Sequence, residues 1–268
     1  MQSALAKLNS RLADFEAPKA LSLFEWFGEL GNFCARLAKA AISPPYEGRE
    51  LVRQLDEVGS KSLPLVALAG AATGVVLSLQ TYASFSRFGA QSLLPAVIVH
   101  SLVEESGPIV TGLIVAGRVG AGIGAELGSM RVTEQIDAIE ASAVNPYKYL
   151  VATRVQACIL MLPLLTLAAD ACGILMGWLT NTLTEPTSLQ LFLEAGTKTL
   201  TFNDFLPPTL KTAVFGLIVG LIACFQGMRT RGGTEGVGRA ATSSVVLSSL
   251  GIVLADVLLV RLILVFFP

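Results

Sequence analysis

An all-α membrane protein is the fold class this sequence predicts: five transmembrane helices, preceded by an amphipathic interfacial helix, with a short cytoplasmic helix between spans two and three. Three observations carry that expectation. Of the 268 residues, 53% are hydrophobic and 15% charged, where soluble domains carry roughly 25% charged residues. Uncharged runs of about 20 residues, long enough to cross a bilayer as a helix, recur along the chain. Small residues also repeat every four positions inside those runs, as in Gly70/Gly74, Gly173/Gly177, Gly216/Gly220 and the series Gly112, Ala116, Gly120, Gly124, Gly128. That spacing lets helix backbones approach closely where lipid removes the hydrophobic driving force. The net charge of −1 provides no basic field for nucleic acid, and a soluble enzyme is disfavoured.

Residues 1–61 form the expected cytoplasmic amino-terminal region and 62–268 the permeation domain. Met1 to Lys19 has no apolar core of signal-peptide length, so no cleaved export signal is expected. From Ala20 to Ile42 the residues Leu23, Phe27, Leu30, Cys34, Leu37 and Ala41 recur at helical spacing opposite Glu25, Glu29, Asn32, Arg36 and Lys39. A helix this polar cannot span. It is expected to lie in the interface with Trp26 and Phe27 as anchors, the alternative being a helix packed on a soluble partner. Pro44 and Pro45 end it, and a shorter amphipathic stretch follows with Leu51, Leu55 and Val58 on one face.

The first span is expected over Ser62–Ser86. The second begins near Phe88, is interrupted by Glu104 and Glu105, and resumes to Gly117. The third covers Val155–Thr180 with Asp170 inside, the fourth Phe205–Met228 with Lys211 near its start, and the fifth Ala240–Phe267 with Asp256 and Arg261. Fifteen of the 19 basic residues lie before span one, between spans two and three, or between spans four and five, whereas the opposite loops hold Arg87 and Lys198. The excess of positive charge on cytoplasmic loops then places the amino terminus in the cytoplasm and the carboxyl terminus outside.

Few residues carry chemistry. Cys34, Cys158, Cys172 and Cys224 have no CxxC spacing and read as small hydrophobes. His100, the sole histidine, cannot build a zinc site and reads as structural or pore-lining. No metal or cofactor is expected. Gly120, Gly122 and Ala125 fit a dinucleotide-type GxGxxA pattern, but the βαβ context it requires is missing. No GxxxxGK[ST] loop occurs, so ATP hydrolysis by that route would have to come from another subunit. Glu104-Glu105 lacks the arginine of an EExxxR protease signature, Ile109 standing in its place. Carboxylates inside a span are costly and point to function. Asp256 and Arg261 are candidates to neutralise each other or other buried charges, five residues apart not being ideal helical spacing.

The densest signal is the cytoplasmic loop from Arg118 to Pro146. A helix over Val132–Val144 would carry Ile136, Ile139 and Ala143 on one face and Glu134, Asp137 and Glu140 on the other, with Asn145-Pro146 stopping it. Such a helix suits docking into a groove of a motor subunit.

The stretch Ala125–Ile139, AELGSMRVTEQIDAI, followed by Asn145-Pro146, closely resembles the AELGxMxVTEQIDAL block of the MlaE-type permeases, membrane subunits of lipid-moving ABC transporters. Glu105-Ser106-Gly107-Pro108 with Ala116-Gly117-Arg118 resembles that family's ExGP and AGR elements, and Gly236–Ala240 its GVGRAT. The resemblance runs from about Leu51 to the end. It implies a homodimer enclosing a lipid cavity, two separate cytoplasmic ABC ATPase subunits, an MCE-domain protein on the outer side, and a bacterial inner membrane with a periplasmic carboxyl terminus. It implies ATPase coupling through Glu134, Gln135, Asp137 and Glu140, and lipid-cavity positions at Leu79, Tyr82, Glu105 and Pro108. One departure stands out: Glu104 occupies a place where relatives often carry arginine, with Lys211 as a source of compensating charge. The alternative reading is an ion-coupled carrier using Glu104, Glu105, Asp170 and Asp256 as a proton relay.

Overall fold

The computed structural model describes residues 19–42, 44, 47–198 and 200–266, and among them every regular element is helical. The expectations for residues 1–18, Pro45 and Phe267 lie outside the described residues, as do the side chains of 19–24, including Leu23. The described residues up to Ile42 and those from Pro44 onward belong to separate compact units.

The first unit is helix α1, Lys19–Ile42. Within it Trp26 and Phe27 meet edge to face, with ring centroids 5.1 Å apart. Phe27 is exposed, while Phe33, Leu37 and Ala40, spaced four and three apart on one face, are buried.

In the second unit, five helical segments are long and apolar enough to cross a membrane: Gly48–Phe88, Gln91–Val132, Tyr147–Thr184, Asp204–Met228 and Gly233–Ile263. Span 1 comprises the amphipathic α2, Gly48–Val58, and the apolar α3, Leu63–Phe85. Span 2 is built from α4, Leu94–Ser101, α5, Gly107–Val115, and α6, Ala121–Val132, joined by π-helical turns at Leu102–Ser106 and Ala116–Gly120. The short α7, Gln135–Ala141, follows. A third π turn, Tyr147–Ala152, leads into α8, Thr153–Thr184, which forms span 3. After α9, Leu189–Thr197, come α10, Phe202–Met228, and α11, Gly233–Phe266, as spans 4 and 5. Span 2 thus runs 15 residues beyond the expected Gly117, to Val132. The sequence past Arg118 is rich in Gly and Ala and reads as a loop, but α6 packs between α10 and α11, and tertiary burial overrides weak propensity.

Small residues set the helix crossings. α3 lies on α8, where a Cβ at Gly70 or Gly74 would overlap the carbonyl groups of Ala169 and Gly173. α10 meets α8 at Gly216 and Gly220, and a Cβ on Gly220 would stand 2.9 Å from the Val155 Cα. A Cβ on Gly128 would stand 2.8 Å from the Thr230 hydroxyl, and one on Gly227 2.6 Å from the Leu127 Cβ. The four-residue spacing read from the sequence therefore serves packing within one chain. At the end opposite α7, Phe192 of α9 is buried among Ile98, Val99, Leu102 and Val103 of span 2. Span 4 is the most buried of the five and span 5 the least. On span 5 Val246, Leu250, Val253, Val257 and Leu258 are exposed, as suits a helix facing lipid.

Candidate functional site

Two groups of residues stand out, one at the α7 end of the bundle and one inside the spans. The α7 loop is shaped by hydrogen bonds its own sequence supplies. At the end of α6 both the backbone N–H and the hydroxyl of Thr133 donate to the Ser129 carbonyl, at 3.0 and 2.8 Å. Glu134 then takes a left-handed conformation at φ 60°, and Ala143, at φ 61°, does the same beyond α7. These two residues bound the helix. It is therefore shorter than the expected Val132–Val144, because left-handed residues interrupt the right-handed ladder on both sides. Pro146 starts the next helical turn, with the Asn145 side chain accepting from the Tyr147 N–H at 3.0 Å.

Ile136 of α7 is buried, whereas Glu134, Gln135, Asp137 and Glu140 are exposed or partly so. The Gln135 amide donates to the Thr133 hydroxyl at 3.0 Å, and Asp137 pairs with Arg131 at 2.5 Å. Glu134 and Glu140 flank that pair at the start and near the end of the helix. Beside them Ala138, Ile139, Ser142, Val144 and Tyr149 line an apolar hollow of about 310 Å³. Exposed acids on the same short helix as an apolar depression make a surface suited to a partner's cationic and apolar side chains.

Within the spans, the π turn at 102–106 directs its two glutamates to different partners. Glu104 pairs with His100 Nδ1 one helical turn earlier, at 2.9 Å. Glu105 accepts a hydrogen bond from Lys211 of α10 at 2.8 Å, and the same ammonium lies 3.0 Å from Asp256 of α11. Lys211 and Asp256 are buried, while the Glu105 carboxylate is about half exposed. One cation thus joins spans 2, 4 and 5. Of the two alternatives for Asp256, a pair with Arg261 or another buried charge, the structure has the second: Asp256 meets Lys211, and Arg261 is exposed. Five residues along a helix turn the side chain by roughly 140°, so the two point to different neighbours.

Of the other candidate cavity positions, Leu79 is exposed and Tyr82 half-buried on α3, while Pro108 is buried at the start of α5. Asp170 on α8 is buried with neither carboxylate oxygen hydrogen-bonded, and it packs directly against Gly107, where a Cβ would overlap it.

In the sequence Arg118 and Glu126 stand inside the AGR and AELGxM blocks without a partner being legible, and Arg154 reads only as an orientation marker. Arg118, in the second π turn, donates to the Ser62 hydroxyl at 2.6 Å and to the Glu57 carbonyl at 3.1 Å. It fastens the turn between α2 and α3 to span 2. Arg154 pairs with Glu126 of α6 at 2.9 Å. Both arginines sit in or beside π turns, which frequently mark functional sites, but nothing local in the sequence signals those turns.

Comparison with known proteins gives a consistent result. The family described as Permease MlaE matches residues 51–262. A probable ABC transporter permease protein of Rickettsia felis is 38% identical over 94% of this chain and 97% of its own length. A probable ABC transporter permease protein of Rickettsia prowazekii is 42% identical over 82% of this chain and 85% of its own. The chloroplastic protein TRIGALACTOSYLDIACYLGLYCEROL 1 of Arabidopsis thaliana is 34% identical over 85% of this chain and 64% of its own. Because the likeness begins within α2, takes in the α7 loop and reaches the last span, this chain belongs to the MlaE family of ABC transporter permeases.

Proposed function

We propose that this protein is the lipid path of an ABC transporter that moves phospholipids or related lipids between membranes, driven by ATP hydrolysis in a separate subunit. Two copies enclose a lipid cavity to which Leu79, Tyr82, Glu105 and Pro108 contribute. Two cytoplasmic ATPases dock on the α7 loops, and an MCE-domain protein receives or delivers lipid on the outer side. The membrane is a bacterial inner membrane, with the amino terminus cytoplasmic and the carboxyl terminus periplasmic. Trp26 and Phe27 hold α1 in the interface.

The observation that carries this reading is α7: a two-turn helix between spans 2 and 3, fixed by buried Ile136 and presenting Glu134, Gln135, Asp137 and Glu140 outward. A helix set between two spans and anchored by Ile136 passes movement of a docked ATPase into both of them. The lipid substrate is supported by the Arabidopsis relative, whose name is that of a diacylglycerol glycolipid. Glu105, half exposed and braced by Lys211, supplies a polar group at the cavity wall where a headgroup can be received.

Reversing charge at Glu134 and Glu140, E134K with E140K, is expected to abolish co-purification with an ABC ATPase while leaving the yield of folded permease unchanged. Like-charge contacts at such an interface cost several kcal/mol. Pull-down from cells expressing the whole transporter checks it. Lipid transport by the isolated permease in liposomes, driven by a proton gradient without ATPase, overturns the reading in favour of an ion-coupled carrier.

A further inference from the structure

We propose that Arg154 and Glu126 form a strut that delivers the movement of α7 into span 3, making Arg154 a positioning residue for coupling. The proposal rests on the functional reading above. The covalent route from α7 to span 3 passes through the π turn Tyr147–Ala152. There the hydrogen-bond ladder is shifted by one residue, a common place for a helix to yield. The route from α7 into α6 is short, and α6 is gripped by spans 4 and 5 through Gly124, Gly128 and Gly227. Span 3 is linked to α6 indirectly, both packing on span 4, and a direct cross-connection lets it follow α6 itself.

Arg154 supplies it from the first turn of α8. One terminal nitrogen meets the Glu126 carboxylate at 2.9 Å and the other donates to the Leu150 carbonyl, inside the π turn, at 2.9 Å. The guanidinium is buried, with 2% of the side chain exposed against 46% for Glu126. Only a planar fork with separate donors reaches α6 and the π turn at once. Span 3 carries the crossings with both span 1 and span 4, so a push received at Arg154 reaches the rest of the bundle.

The test uses the full permease in complex with its ATPase, in liposomes carrying a fluorescent phospholipid. Glu126→Gln keeps the shape and removes the charge. ATP hydrolysis is expected to persist, while lipid moved per ATP falls about tenfold, within the range for mutations along a coupling route. Unchanged lipid per ATP in E126Q, or a fall in assembly, hydrolysis and transport in equal proportion, overturns the strut. Spin labels at Ser129 and Leu160 give a second reading in the wild-type complex. Their separation is expected to stay constant when ATP binds and to change in E126Q; a wild-type change overturns the proposal. A wild-type complex that hydrolyses ATP but moves no lipid overturns the functional reading instead, and the label distances still report on the strut.

Discussion

Replacing Lys211 with methionine is expected to cost about 3–5 kcal/mol and to leave little folded permease, because breaking a buried ion pair strands the remaining charge. Lys211 is 1% exposed and Asp256 5% exposed at the side chain, so Asp256 has no water to fall back on. Glu105 is half exposed and tolerates the loss better. The double substitution K211M/D256N removes both buried charges and is expected to recover most of the stability, since replacing a whole buried pair is often neutral. Thermal unfolding in detergent, with the yield of monodisperse protein, checks both variants. The recovered K211M/D256N protein leaves Glu105 unbraced, and its transport activity in the proposed assay then reports what the bracing of that carboxylate contributes to function.

A second large effect is expected from Gly74→Leu, which should lose about 3 kcal/mol or more by overpacking. A Cβ at Gly74 overlaps the carbonyl of Gly173. The obstacle is backbone, which no rotamer change relieves, so α3 and α8 must separate along the whole crossing that Gly70, Gly74, Gly173 and Gly177 make. Gly74→Ala against Gly122→Ala is the matched comparison: a Cβ at position 122 meets nothing within 4 Å, and Gly122→Ala is expected to be near neutral. Unfolding temperatures of the two variants side by side separate a packing glycine from a spare one. Equal stability would show that the two helices part without cost.

Much of this fold is legible in the order of residues. Each of the five spans announces itself by an apolar run, because a bilayer demands one continuous internally hydrogen-bonded helix of sufficient length. The α7 loop is legible in part: Ile136 and Asp137 declare their faces by position, whereas Asn145-Pro146, which reads as the stop of this helix, instead opens the next one. The residues flanking α7 are less legible. Glu134 and Ala143 adopt left-handed backbone, and neither is a glycine that would have advertised it.

The polar interior was harder to read. Glu105, Lys211 and Asp256 are each conspicuous as charges inside apolar runs, yet their partnership spans 106 residues between Glu105 and Lys211 and follows from how three helices pack. Helical spacing counted against Arg261 as the partner of Asp256 but named no other, and packing assigned Lys211. Arg154 was less visible still: at the edge of a span a basic residue looks like an orientation marker, and its burial against Glu126 appears only once α6 is folded against α8.

By itself, then, the sequence determined the class of molecule, the number of spans and the location of the loop helix. Those properties depend on local composition and on the bilayer's demand for internally satisfied backbone. The tertiary structure decided which charges neutralise one another, which glycines touch, and where the π turns fall. These depend on helix rotation and contact across long separations in the chain, and hydropathy and spacing along one helix carry no information about the neighbouring helix.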